Sequence, residues 1–136
     1  MDNQIKPWKL DELSENNNEF FIDGLVDNSN GLQVSLSDNK KFSLKFIWLH
    51  DELISYRNTN REYFIYGLGQ EFKQKNIRQN FYKIENSEYI KFIKKWSYPE
   101  TIRYTKNLIH FAIYTVEDCL DIISTSEPKV KFKFHR

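Results

Sequence analysis

The sequence predicts an α+β fold, a mostly antiparallel sheet of about five to seven strands with one principal amphipathic helix packed on one face. Three observations carry that expectation. Short runs alternate apolar and polar residues between turn clusters rich in Asn and Gly, the pattern of an antiparallel meander. Aromatic residues make up 16% of the chain while alanine occurs once, at Ala112, so the core is built from Phe, Tyr, Ile and Leu, which suit sheets better than helical bundles. One stretch, 87–96, changes to helical spacing, with Tyr89, Phe92, Ile93 and Trp96 three and four residues apart.

At 136 residues the chain has the size of one α+β domain, 1–136, in which 1–18 is a leader packing on the body. Trp8, Leu10 and Leu13 suit one short helical turn in that leader, and "SENNN" is the loop that follows. "EFFIDGLV" then reads as a strand and "DNSNG" as a turn. In "LQVSLS", Leu32, Val34 and Leu36 alternate with Gln33, Ser35 and Ser37; after "DNK", Phe42, Leu44, Phe46 and Trp48 alternate with Ser43, Lys45 and Ile47. The apolar face of this meander needs a cover. The stretch 49–72 is harder to read: "ELISYR" continues a strand and "NREYFIYGL" suits a short helix capped by Asn60.

"NFYKIE" is a strand, and Asn86 or Ser87 accepts a hydrogen bond from an orphan N–H of the helix that follows. Lys91, Lys94 and Lys95 fall opposite the apolar stripe, Ile90 flanks it, Glu88 suits the positive end of the helix dipole, and Pro99 stops the helix. In "NLIHFAIYT", Leu108, His110, Ala112 and Tyr114 share one phase, Ile109, Phe111, Ile113 and Thr115 the other. For 116–124 a strand competes with a helix started at Thr115 with Asp118 in a weak capping box, and the β-branched pair Ile122-Ile123 favours the strand. "PKVKFKF" closes as an alternating strand, Val130, Phe132 and Phe134 inward, Lys129, Lys131 and Lys133 outward, typical of a protected sheet edge.

A single cysteine, Cys119, excludes an internal disulfide, and no apolar run has the length of a signal peptide or a membrane span. Those features point to the cytoplasm and away from a membrane. Net charge is +1 but unevenly spread: 1–68 carries eleven acids against seven bases, and 69–136 eight acids against thirteen bases. Nine bases and three acids fall within 73–106, a local positive field on a near-neutral chain.

No cofactor is expected. "GLGQ", Gly67 to Gln70, lacks the further glycine of a dinucleotide fingerprint and the Lys-Ser/Thr of a phosphate loop. His50, His110 and His135 do not make a metal-ligand spacing, and His110, in phase with apolar neighbours, reads as a half-buried, hydrogen-bonded imidazole. Cys119 lies between Asp118 and Asp121, whose charges oppose a reactive thiolate, and reads as a small, partly buried apolar residue. Glu117, Asp118 and Asp121 read as a solvated turn, with a general acid/base pair or a loosely held cation as the functional alternative. No catalytic residue, cofactor-binding residue or metal ligand is assigned.

The basic helix carries the strongest functional signal. Lys91, Lys94 and Lys95, with Lys73, Lys75, Arg78, Lys83, Arg103 and Lys106 near in sequence, suggest one positive surface. Its readings are a solubilising face, a site for an acidic protein, or a nucleic-acid surface with Tyr82, Tyr98 and Tyr104 as stacking platforms. Lys91, Lys94, Lys95, Tyr98 and Arg103 are the candidate partner-binding residues, the last two as interface anchors.

The C-terminal half, roughly 81–131, resembles small uncharacterised single-domain proteins of low-GC bacteria, some of which look like immunity partners encoded beside polymorphic toxins. The matching residues are Glu85, Asn86, Ser87, Glu88 and Tyr89, then His110, then Asp121, Glu127, Pro128 and Val130. The resemblance covers about fifty residues and implies a cytoplasmic α+β protein without enzymatic activity, a binder that neutralises a toxin. The expectation is therefore a non-enzymatic interaction module whose partner is another protein, a toxin domain with an acidic surface. The alternative is a small nucleic-acid-binding protein, or a nuclease or hydrolase using the basic 73–106 region and His50 or His110.

Overall fold

Alternation along the chain decides which side chains meet. The computed structural model describes residues 3–8, 10, 19–38, 42–60, 81–97, 107–115 and 117–134. Three strands, β2 (Phe21–Asn28), β3 (Gly31–Ser37) and β4 (Phe42–Trp48), form the meander, with β9 (Lys129–Phe134) added beside β4 to give the order β2-β3-β4-β9. A second sheet holds β1 (Gln4–Pro7), β5 (Leu53–Asn60), β6 (Phe81–Glu85), β7 (Ile109–Tyr114) and β8 (Asp118–Ser124) in the order β1-β6-β7-β8-β5. Every pairing is antiparallel. With the single helix α1 (Glu88–Trp96) among the described residues, the fold is α+β, as the alternation predicts. The nine described strands divide between two sheets. None of the described helical residues form a segment long and apolar enough to cross a membrane.

Leu32, Val34 and Leu36 of β3 and Leu44, Phe46 and Trp48 of β4 are buried in one core with Phe81, Phe111, Ile113, Leu120 and Ile122 of the other sheet. The cover that the meander needs is thus a second sheet. Each such large side chain contributes about 1.5–3 kcal/mol when fully buried. Trp8 links the layers: its ring lies 5.2 Å from Phe46 and 4.8 Å from Phe111, and its backbone N–H donates to the Phe81 carbonyl at 3.0 Å.

The leader begins with an edge strand, Gln4–Pro7 pairing with Tyr82–Glu85, and Trp8 and Leu10 reach the core; the helical turn expected around Trp8, Leu10 and Leu13 falls largely outside the described residues. Two local expectations are revised. The helical stripe does not dock as a whole: Tyr89 is buried, whereas Phe92 is 60% and Trp96 73% exposed. Phe134 at the end of β9 is exposed rather than inward. The competition at 116–124 resolves to the strand Asp118–Ser124, "ELISYR" contributes to the strand Leu53–Asn60, which Asn60 ends, and the helix expected over 61–68 lies outside the described residues.

Tight turns close the hairpins. Asp38 is buried, and its Oδ1 accepts the Phe42 N–H at 3.0 Å across the β3–β4 turn. Gly31, opposite Asn28 in the β2–β3 hairpin, has φ +119°, and a Cβ there would lie 2.0 Å from the Trp48 carbonyl oxygen. Gly31→Ala is expected to cost about 3 kcal/mol or more in chemical denaturation, since both the backbone and β4 must shift. Gly24→Ala is the control: a Cβ there meets nothing within 4 Å, and its stability should stay within about 1 kcal/mol of wild type.

Candidate functional site

β7 and β8 each carry polar side chains among apolar ones on the face turned away from the shared core. Register places Ala112 opposite Asp121, and Asp121 in turn opposite Arg57 of β5. His110 and Tyr114 flank Ala112 on the same face of β7. The methyl of Ala112 leaves the room in which the Asp121 carboxylate sits between them.

Three donors converge on that carboxylate. His110 Nε2 lies 2.6 Å and the Tyr114 hydroxyl 2.6 Å from Oδ1, and Arg57 Nε donates to Oδ2 at 3.3 Å. A carboxylate only accepts, so Nε2 carries a proton towards Asp121. Ser87 Oγ stands 2.7 Å from Nδ1, hydrogen-bonded to it, and also accepts the Ile90 N–H at 3.0 Å; in the neutral imidazole the Ser87 hydroxyl is the donor to Nδ1. A continuous chain of bonds thus runs from the first turn of α1 through Ser87 and His110 to Asp121. The helix entry needs Asn86 at φ +54°, a conformation asparagine tolerates better than most residues, and Asn3 Oδ1 accepts the Glu88 N–H at 2.7 Å.

Tyr89 completes the attachment of α1. Its ring meets His110 edge-on at 5.8 Å, the Arg57 guanidinium lies over it at 4.2 Å, and its hydroxyl shares a 2.5 Å hydrogen bond with Ser55 Oγ. Burial raises the Tyr114 hydroxyl well above the usual tyrosine value, with the charge of Asp121 and the hydrogen bond to it adding to the shift.

Serine, histidine and aspartate in line have the composition of an acyl-transfer triad. Here, however, serine faces Nδ1 and aspartate Nε2, the reverse of the template in which aspartate orients Nδ1. The three side chains lie in residues 4%, 2% and 1% exposed, and Ser87 is engaged as a helix cap. What this arrangement does is hold the start of α1 on the sheet.

Asp121 corrects the reading of Glu117, Asp118 and Asp121 as one solvated turn. Glu117 is exposed and Asp118 half-buried, but Asp121 points into the sheet because its phase is that of buried Cys119 and Ile123. His110 is fully rather than half-buried, and Cys119 likewise. His50 is exposed in the turn after β4; His135 and the "GLGQ" segment lie outside the described residues. Those described residues contain no group of three or more His, Cys, Asp or Glu side chains arranged to hold a metal ion.

The basic surface is brought together only in part. Lys91, Lys94 and Lys95 are exposed on α1, with Lys91 3.6 Å from Glu88. Tyr98 and Arg103 lie outside the described residues, as do Lys73, Lys75, Arg78, Tyr104 and Lys106. Lys83 is directed elsewhere, to an ion pair with Glu127 and to the face of Phe111. Tyr82 is 1% exposed and packed near Tyr114, so it offers no stacking platform. Sequence reasoning missed Phe92 and Trp96 as surface residues; their rings, 6.3 Å apart, form an exposed aromatic pair beside the lysines.

Compared with protein-family models, curated proteins and solved structures, the chain matches none.

Asp121→Ala is expected to cost about 3–5 kcal/mol in urea denaturation, because His110, Tyr114 and Arg57 lose their common acceptor. Ser87→Ala should cost about 1–2 kcal/mol, the usual loss of an N-cap. The Tyr114 shift sets an alkaline limb. Its folded pKa is raised, so the stabilisation is full below the unfolded value of about 10 and falls as pH rises through it, by up to about 1.4 kcal/mol per pH unit. Stability measured against pH should show that limb in wild type and a shallower one in Tyr114→Phe.

Proposed function

We propose that the protein is a non-enzymatic interaction module that binds an acidic protein through the exposed face of α1. Following the resemblance of its C-terminal half to immunity proteins, we propose a toxin domain as that partner. The observation that carries the reading is the exposure of Phe92 and Trp96 on a helix whose first turn is held by buried hydrogen bonds. Trp is enriched among residues that dominate binding energy, and a helix already fixed in place loses little entropy when it docks. Lys91, Lys94 and Lys95 on the same helix favour an acidic counter-surface and speed the encounter.

A hydrolase is the rival, favoured by one observation, the alignment of Ser87, His110 and Asp121. Burial of all three and the use of Ser87 as a cap count against it. Turnover of RNA, DNA or a generic ester that vanishes in a folded His110→Asn protein would replace the binding module by that enzyme.

Phe92→Asp with Trp96→Asp should leave the melting temperature within about 2 °C of wild type, since both rings already face water. In the native host, a photo-crosslinker at position 96 is expected to trap one acidic protein. The same double substitution with the crosslinker at position 95 should lose that product, and a Lys91/Lys94→Glu variant with the crosslinker at position 96 should weaken it by about tenfold at low salt. A product indifferent to both variants, or none at all, overturns the reading.

A further inference from the structure

The four-stranded sheet ends at β9, whose outer edge pairs with no other described strand. Along one face of that edge stand Lys129, Lys131 and Lys133, all exposed. Register sets Lys131 directly opposite Lys45 of β4, which is exposed too. Among the described residues none of these four lysines has an ion-pair partner. On the opposite face of β9, Val130 and Phe132 are half-buried and Phe134 is 53% exposed, with Phe42 packing against both phenylalanines at 5.2 and 5.1 Å.

Lysines on an edge strand ordinarily guard it against pairing with its own kind. That account covers β9 but not Lys45, which lies on an interior strand and forms with Lys131 a like-charge pair that destabilises the ladder. Among the described residues, three features of the edge lack partners at once: its outward backbone groups, its lysines and its half-covered apolar side chains. One kind of occupant satisfies all three. We infer that β9 receives an extended acidic segment of a partner protein as a fifth strand, with carboxylates at alternate positions facing Lys129, Lys131 and Lys133 and apolar residues between them covering Val130, Phe132 and Phe134.

The spacing agrees. Side chains on one face of a strand recur about every 6.6–6.8 Å, and directly opposed Cβ atoms across a ladder lie about 4.5–5.5 Å apart, within reach of a lysine–carboxylate pair. Strand addition of this kind draws affinity from main-chain hydrogen bonds and selectivity from alternate side chains. A second copy of β9 is refused because lysine would face lysine. A nucleic acid would neutralise the lysines but has no amide ladder for the edge. The site shares no residue with the face of α1, so either surface is able to fail alone.

The probe is a fluorescent octapeptide of alternating Glu and Val, capped at both ends, followed by anisotropy and by amide hydrogen exchange. It is expected to bind, more weakly as salt rises, and to protect alternate amides across Lys129–Phe134, those that point to the free edge. Lys131→Glu also removes the repulsion with Lys45, so the variant folds, and it should bind the peptide about tenfold more weakly. The triple Lys129/Lys131/Lys133→Glu variant should instead take the alternating Lys/Val peptide. Absence of binding at low salt, binding without amide protection, or equal binding of polyglutamate or of a DNA duplex each overturns the inference.

Discussion

The Asp121 carboxylate is the constraint on which the outer face of the five-stranded sheet depends. A charge taken out of water is costly unless donors surround it, and here they come from β5 and β7, with α1 joined through Ser87 and His110. Because each bond has a direction, the network admits one orientation of the imidazole and one placement of the helix start. The apolar layer between the sheets supplies most of the burial but imposes no such direction. Packing holds the layers together, and the carboxylate sets where the helix begins.

That division explains the uneven burial of α1. Its first turn is fixed by a cap, an aromatic contact with His110 and a cation over Tyr89, all within a few residues. Farther along, nothing of comparable directionality draws Phe92 and Trp96 inward, and they remain in water. Leaving large aromatic groups exposed forgoes burial energy, and function is the usual reason a folded protein accepts such a patch.

The strands were legible because the period-two signal is local: β3, β4 and β9 can be traced from Leu32, Phe46 or Val130 with no knowledge of their neighbours. Their allocation to two sheets was not, since pairing β4 with β9 or β5 with β8 joins segments far apart in sequence. Gln4–Pro7 has too little pattern of its own and becomes a strand only because β6 offers an edge. At the candidate site, Ser87 was legible as a cap and His110 as hydrogen-bonded, each from its neighbours. Asp121 was misread with Glu117 and Asp118 because contiguous acids suggest a wet turn. The overlooked signal was its phase, shared with Cys119 and Ile123, together with the chain's sole alanine placed where a larger residue would fill the carboxylate's space.

The pairing of β4 with β9 also orders events during synthesis. The meander β2–β4 emerges from the ribosome as a local unit, yet Phe42 waits for Phe134 before that sheet has its fourth strand. Likewise Leu53 waits for Ser124. Non-local antiparallel pairings of this kind have high contact order, which slows folding and prolongs the exposure of strand edges that invite aggregation. Through that interval the open side of β4 has Leu44, Phe46 and Trp48 along one face. The nascent chain therefore depends on the pace at which its C-terminal third is made, because the strand that shields this edge is the last of the described strands to be translated.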